Sequence, residues 1–319
     1  MKLKDVKKVS VVGAGLMGHG IAQAFAQKGY PVSVYDINKD ILDQALINIR
    51  YNLGAFVEAG LEDESRLPQI LSLLSLTTEL DNAVGNADIV IEAAPEDLDL
   101  KKELFKDIDR HSPDHTILAS NTSMLPISEF GSQVAKKEKL IITHWFNPPH
   151  IVPVVEIVSG DCTSKDTFDT TFRLLCEIGK QPVRVLKELP GFLVNRIQTA
   201  MFREVLSLLE KNVASAEDID KAVKGSFGFR LGVIGILETM DMAGLDLMYK
   251  AAKHLYKFID NSTKPQSVLK DKVDEGKLGI KTGGGFFLYE REGALGQGKV
   301  KTKNRDMKLL EFLKVVRSS

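Results

Sequence analysis

The chain is short of most of the features that would assign it quickly. It has two cysteines, Cys162 and Cys176, whose spacing fits neither a disulfide framework nor a zinc clip. That argues against a stapled secreted scaffold or a cysteine metal site and favours a reducing compartment. It lacks an excess charge of one sign: 42 Lys and Arg against 43 Asp and Glu leave −1. The basic surplus that nucleic acids and anionic membrane surfaces recruit is missing. No apolar run approaches the roughly 18 residues of a membrane span. The N-terminus, MKLKDVKKVSVV, is basic, but its apolar stretch breaks at once into glycines and a helical pattern, unlike a secretory signal. The expectation is a soluble, cytoplasmic protein. At 319 residues and 44% hydrophobic, the chain can build two domains, each with its own core.

What is present alternates. Short β-branched runs at 9–12, 32–35, 89–93, 116–119, 140–143, 152–158 and 182–186 predict strands. Helical periodicity fills 16–28, 39–58, 98–111 and 165–178. Strands alternating with helices predict an α/β fold, a mostly parallel sheet with helices on both faces. After Pro190-Gly191 the pattern is almost purely helical to about 260, which puts a boundary near Glu188. The glycines in GFGFRLGVIG read as tight turns or close helix approach. A polar stretch then leads to an amphipathic helix expected over 304–317.

The first strand runs into Gly13-Ala-Gly15-Leu16-Met17-Gly18, a G-x-G-x-x-G at a helix start. The first glycine permits the turn, the second lets backbone approach a pyrophosphate, and the third lets helix pack on strand. The free amides of the helix N-terminus then hold the anion. The second strand ends in Tyr35-Asp36, eighteen residues past Gly18, where an acid can bind ribose hydroxyls. A carboxylate there repels the 2′-phosphate of NADP, so NAD is the expected cofactor.

In open α/β sheets ligands lie beyond the carboxyl ends of the strands. Three polar clusters fall there: Glu92, Glu96 and Asp97 in EAAPED; Ser120, Asn121 and Ser123 in SNTSMLP; and His144 in THW. Oxidising an alcohol with NAD requires an acceptor for the hydroxyl proton, and histidine suits neutral pH. A carboxylate that fixes its tautomer improves it. Glu156 lies inside the apolar run 152–158, beyond a turn stiffened by Pro148, Pro149 and Pro153. It is costly there unless paired. Plainer readings stay open: Ser123 as a turn or cap residue, Glu96 as a helix N-terminal acid, Glu156 as a surface position on an edge strand.

With these residues in view, the sequence resembles the NAD-dependent 3-hydroxyacyl-CoA dehydrogenases, particularly the short 3-hydroxybutyryl-CoA dehydrogenases. The resemblance spans about residues 5–290 and rests on VVGAGLMGHGIAQAFAQKGYPVSVYD, APEDLDLKKELFKDID, ASNTSMLPISE, HWFNPPHIVPVVEIV, GFLVNRI and KTGGGFFLY. It implies a Rossmann-type NAD-binding domain over 1–187 and a helical substrate and dimerisation domain over 188–290; the polar linker and C-terminal helix over 291–319 lie beyond it. It further implies a homodimer with an acyl-CoA substrate in the cleft between domains. By motif, the catalytic histidine is His144 and its orienting glutamate Glu156; Ser123 and Asn195 contact the substrate. Glu96, Lys101 and Asn121 match positions that contact the nicotinamide end or the catalytic network.

Two departures matter. The segment that in the CoA enzymes carries CoA-contacting lysines has none between 51 and 71, four acids, and Arg66 as its one cation. The double proline of FNPP also resembles the lambda-crystallin, L-gulonate dehydrogenase and carnitine dehydrogenase branch, which uses no CoA. A dehydrogenase of a small polar alcohol, or a non-catalytic NAD(H)-binding protein of the crystallin kind, are the alternatives.

Overall fold

A computed structural model describes residues 2–289 and 297–318. They form two compact units: Met1–Asn195 with Asp306–Lys314, and Arg196–Arg305 with Val315–Ser319.

The first unit is an eight-stranded sheet in the order β3-β2-β1-β4-β5-β6-β7-β8. Its elements alternate as β1 (Val9–Val12), α1 (Gly18–Ala26), β2 (Val32–Tyr35), α2 (Lys39–Glu58), α3 (Leu67–Ser72), β3 (Leu74–Thr77), α4 (Leu80–Val84), β4 (Ile89–Glu92), α5 (Leu98–His111), β5 (Ile117–Ser120), α6 (Ile127–Phe130), β6 (Leu140–Trp145), β7 (Val154–Ser159), α7 (Lys165–Glu177) and β8 (Gln181–Val185). Every neighbouring pair is parallel except β6 and β7. The mostly parallel α/β sheet expected from the sequence is borne out.

Strand periodicity sorts the core into two layers. Val9, Val11, Ile89, Ile91, Ile117, Ala119, Ile141, Val155 and Ile157 pack with α1, α2 and α7. Val90, Leu118, Leu140, Ile142 and Val158 pack on the other face with Phe105, Ile108 and Phe130. Both sides of the central strands are therefore covered, as their unbroken apolar runs require. Local chemistry sets the helix starts: the Asn38 side chain accepts the Asp40 amide, Asp97 the Leu100 amide and Ser164 the Thr167 amide.

The structure departs locally from the sequence reading, and short helices at Leu67–Ser72, Leu80–Val84 and Ile127–Phe130 join the expected ones. β3 was not expected; its Leu-Ser-Leu-Thr lies at the sheet's edge and is only half-buried, so its apolar signal is weak. β6 runs two residues beyond the expected 140–143 and takes in His144 and Trp145. The C-terminal helix starts earlier than expected. Residues 290–296, within the expected polar linker, lie outside the described residues.

The second unit carries α8 (Val194–Glu210), whose start belongs to the first unit, then α9 (Ala216–Gly225), α10 (Phe227–Arg230), α11 (Ile236–Ala243), α12 (Leu245–Leu255) and α13 (Ser267–Asp274). The last helix, α14 (Gln297–Ser318), returns residues 306–314 to the first unit. There Leu310 and Leu313 are buried with Phe56 and Ala59, at the end of α2, and with Ile151. Leu310→Ala is expected to cost about 2–5 kcal/mol, read as a lower urea midpoint; an unchanged midpoint would mean the helix does not hold this site in solution. Among the described residues no helix is long and apolar enough to cross a membrane.

Candidate active site

The antiparallel register of β6 and β7 sets His144 directly opposite Glu156. Directly opposed residues in such a pair share a face and lie within side-chain reach. His144 Nδ1 is 2.8 Å from Glu156 Oε2, and both side chains are buried, Glu156 completely. An ionised carboxylate only accepts, so Nδ1 carries the proton and Nε2 keeps its lone pair free for proton transfer. The second carboxylate oxygen is also held: Oε1 accepts the Leu193 and Val194 amides at 2.9 and 2.8 Å. With both oxygens engaged, the carboxylate cannot turn away from the imidazole. The edge-strand reading of Glu156 is overturned, because β7 lies between β6 and β8.

Two aromatic rings wall the imidazole. Phe146 meets it edge-on at 4.5 Å between centroids, and Phe192 lies at 5.6 Å. Asn195, half-buried, follows Val194 on the first turn of α8.

The glycine-rich turn lies at the switch point where the strand order reverses, between β1 and β4. Gly13 takes φ +99°, and a Cβ there would come 2.7 Å from the Ala93 carbonyl. A Cβ on Gly18 would sit 1.7 Å from the Gly13 oxygen, so the helix packs on the turn only as glycine. Asp36 closes the turn, with Oδ2 accepting the Ala14 amide at 2.9 Å and Oδ1 the Asn38 amide at 3.1 Å. The turn, its helix N-terminus and this acid fit an NAD pyrophosphate and ribose. His19 lies beside it with Nδ1 2.7 Å from the Gly15 carbonyl; burial pushes its imidazole down, against the pull of that carbonyl.

A second polar network sits at the ends of β4 and β5. Lys101 is buried and donates to Glu92 Oε1 at 2.5 Å, with Glu96 Oε2 at 3.4 Å. Glu92 Oε2 accepts the Ser120 hydroxyl at 2.6 Å. Burial pushes the Glu92 carboxyl up, opposed by Lys101, Ser120 and the Ala94 amide. Glu96 Oε1 takes the Thr122 hydroxyl at 2.6 Å and the amides of Ser123 and Met124 at 2.9 and 3.1 Å. Glu96 therefore shapes the loop that carries Ser123, while Asp97, not Glu96, caps α5. Asn121 Oδ1 accepts the Trp145 amide at 2.9 Å, which ties this loop to the strand carrying His144.

Although burial opposes it, the Glu96 carboxyl lies below its ordinary range, because Thr122, Lys101 and the two loop amides outweigh that burial. A depressed carboxylate stabilises the fold above its unfolded pKa of about 4.3 and loses that contribution as pH falls through the lower folded value. The stability gap between wild type and Glu96→Gln should be open at neutral pH and close below about pH 4. A gap independent of pH in urea unfolding would remove this role.

Sequence reasoning passed over several of these groups. Thr122 and the amides of Leu193 and Val194 carry no side-chain pattern to find. Lys180, whose Nζ donates to the Pro149 and Val152 carbonyls at 2.6 and 2.8 Å, holds the proline-rich turn from β8's side. The close approach of that turn to Gly20, where a Cβ would meet His150 and Pro149 at 2.8 Å, could have been suspected from the extra glycine in GLMGHG. Among the described residues, no group of three or more His, Cys, Asp or Glu could hold a metal.

Fold and site together define an NAD-dependent oxidoreductase, and comparison with known proteins narrows the class. Residues 8–189 match the 3-hydroxyacyl-CoA dehydrogenase NAD binding domain, and residues 191–289 match the 3-hydroxyacyl-CoA dehydrogenase C-terminal domain. The chain belongs to the 3-hydroxyacyl-CoA dehydrogenase family, and NAD is its cofactor. It is 38% identical over 285 residues to a 3-hydroxybutyryl-CoA dehydrogenase of Clostridioides difficile, covering 89% of this chain and 100% of the relative. It is 32% identical over 312 residues to a 5-formyl-3-hydroxy-2-methylpyridine 4-carboxylate 5-dehydrogenase of Mesorhizobium japonicum, covering 98% of both. A solved structure of such a pyridine carboxylate dehydrogenase, described as an NAD+ dependent dismutase, superposes with a TM-score of 0.91 at 31% identity, covering 98% of this chain and 99% of that one.

Proposed function

We propose that the chain oxidises a hydroxyl-bearing substrate reversibly with His144 as general base and Glu156 as its orienting carboxylate. The observation that carries this reading is the buried His144–Glu156 pair, locked by the Leu193 and Val194 amides in the sheet that also carries the dinucleotide turn. Bound NAD would supply the acceptor for the hydride of the carbinol carbon. His144 Nε2 takes the hydroxyl proton, and Glu156 holds the Nδ1–H and offsets the charge of the imidazolium as it forms. Ser123 and Asn195 hold the developing carbonyl or a neighbouring acyl oxygen. Glu96, steadied by Lys101, shapes the loop facing the nicotinamide end, and Asn121 ties that loop to β6.

The substrate read first is an (S)-3-hydroxyacyl-CoA such as 3-hydroxybutyryl-CoA, supported by the family match over both domains and by the 3-hydroxybutyryl-CoA relatives. A second reading, a small polar substrate without CoA, has specific support. The pyridine carboxylate enzyme matches nearly the whole chain, the 51–71 segment has no lysine, and Leu310 and Leu313 of α14 pack on Phe56 and Ala59 within that segment. The deciding assay follows NADH with acetoacetyl-CoA, beside L-gulonate, carnitine and 5-formyl-3-hydroxy-2-methylpyridine-4-carboxylate. A kcat/KM of about 10⁴ M⁻¹s⁻¹ or more with acetoacetyl-CoA establishes the first reading. Turnover confined to a small substrate establishes the second. NADH binding, seen in Trp145 fluorescence, without turnover of any alcohol would leave the crystallin-like alternative.

A second copy of the chain is the proposed partner, through the helical unit. Among its described residues Phe229 and Val233 are 78% and 84% exposed, with Leu237, Met242, Tyr249 and Tyr256 exposed as well. A monomer rarely leaves that much apolar surface in water. Light scattering should give twice the 35.2 kDa chain mass; a monomeric mass would overturn this. The cytoplasm is the proposed compartment, in keeping with two free cysteines, both exposed.

A further inference from the structure

Between β8 and α8 the chain passes through residues 186–193, and this stretch with the first residue of α8 delivers three groups to the His144–Glu156 pair. The Leu193 and Val194 amides bind Glu156, and the buried Phe192 ring lies against His144. Phe192 does so in the left-handed region, at φ +49°, just after Gly191 at +80°. A bulky residue held there stores strain and persists only where its surroundings fix it. Leu186 and Leu189 on the same stretch are exposed and give little anchorage. Glu188 gives more: its Oε1 accepts the Ile127 amide at 2.7 Å, across 61 residues of sequence. Ile127 opens α6, four residues after Ser123.

The charge on Glu188 is poorly served by its surroundings. Burial pushes its carboxyl up, Asp161 and Glu129 add to that, and the Ile127 amide opposes it. Electrostatics therefore does not account for a glutamate at this point, whereas the hydrogen bond to Ile127 does.

We propose that Glu188 is a positioning residue for the His144–Glu156 pair. By gripping the Ile127 amide it fixes the stretch whose amides hold Glu156 and whose Phe192 walls His144, and it ties that stretch to the loop carrying Ser123. The assignment rests on the general-base reading above. It acts through the carboxyl's reach and its acceptor oxygen, not through its charge.

Three substitutions separate these properties. Glu188→Gln keeps the length and an acceptor oxygen, Glu188→Asp keeps the charge but is shorter by a methylene, and Glu188→Ala removes both. Asp and Ala should lower kcat by about 10- to 100-fold, the scale of a small misplacement of catalytic groups. NADH affinity, read by Trp145 fluorescence, should hold, and Gln should restore kcat to near wild type. The ¹⁵N-edited imidazole spectrum should show the His144 Nδ1–H in wild type and Gln, and lose or shift it in Asp and Ala. If the Ala variant does not fold, the Asp and Gln pair decides alone. Wild-type kcat and imidazole signal in Asp, or Gln failing as Asp does, overturns the proposal. If wild type turns over no substrate, the dehydrogenase reading falls, while the imidazole spectra still decide the role of Glu188.

Discussion

Replacing His144 with alanine is expected to lower turnover by about 10²–10⁴-fold while NADH affinity holds. The split follows from geometry. The imidazole donates to Glu156 on the α4–α6 face of the sheet, and the dinucleotide turn is built from Gly13 to Gly18 and Asp36, none of which bonds to His144. Removing the ring therefore removes the proposed proton acceptor but leaves the glycine turn standing. Glu156→Gln should fall between wild type and His144→Ala, since the amide oxygen still accepts from Nδ1 but no longer offsets an imidazolium. Phe146 and Phe192 pack on His144, so the alanine variant should lose some thermal stability too. Wild-type turnover in His144→Ala would take the histidine out of the chemistry. Lost NADH binding in the same variant would mean the site was disrupted, and the rate could not be read as a proton-transfer defect.

The second large effect belongs to the glycine turn, and two neighbouring substitutions should part company there. Gly18→Ala brings a methyl to 1.7 Å from the Gly13 oxygen, a backbone atom that cannot swing aside. Helix α1 must separate from the turn, so both the melting temperature and NADH affinity should fall, the latter by about 100-fold or more. That corresponds to roughly 2.7 kcal/mol of binding. Gly15→Ala meets no protein atom within 4 Å, so the fold should be untouched. NADH affinity should still drop, because the second glycine is where backbone closes on the pyrophosphate. Calorimetric melting beside NADH titration checks both. Wild-type affinity in Gly15→Ala would mean that the turn does not hold the pyrophosphate.

How legible these features were depended on how local their causes are. Helices α2 and α5 have the bounds their periodicity predicts, because Asn38 and Asp97 cap them within the element itself. β1 and β2 are equally local: all four residues of β1 and three of the four in β2 are buried. β3 was hidden because ILSLLSLT reads as well for a helix as for a strand, and only pairing with β2 decides it. The same division runs through the candidate site. An acid within an apolar run marks Glu156, and its opposition to His144 follows from strand register once the proline turn is allowed for. The amides that lock Glu156 arrive from 37 and 38 residues away and carry no side-chain signature. Phe192 reads as one more apolar residue, and its left-handed backbone is set by tertiary contacts. Lys101 was singled out by resemblance, while its burial beside Glu92 became visible only when β4 and α5 were placed together.

The return of α14 to the first unit bears on how the chain is made. Synthesis runs from the N-terminus, and domains generally fold as their residues emerge. Here the sheet and its helices are complete in sequence by Asn195, yet residues 306–314 must leave the ribosome before Phe56, Ala59 and Ile151 are covered. For as long as the ribosome takes to add roughly a hundred further residues, Phe56, Ala59 and Ile151 lack the cover of Leu310 and Leu313. The last step of folding the first unit is thus timed by the translation of the second.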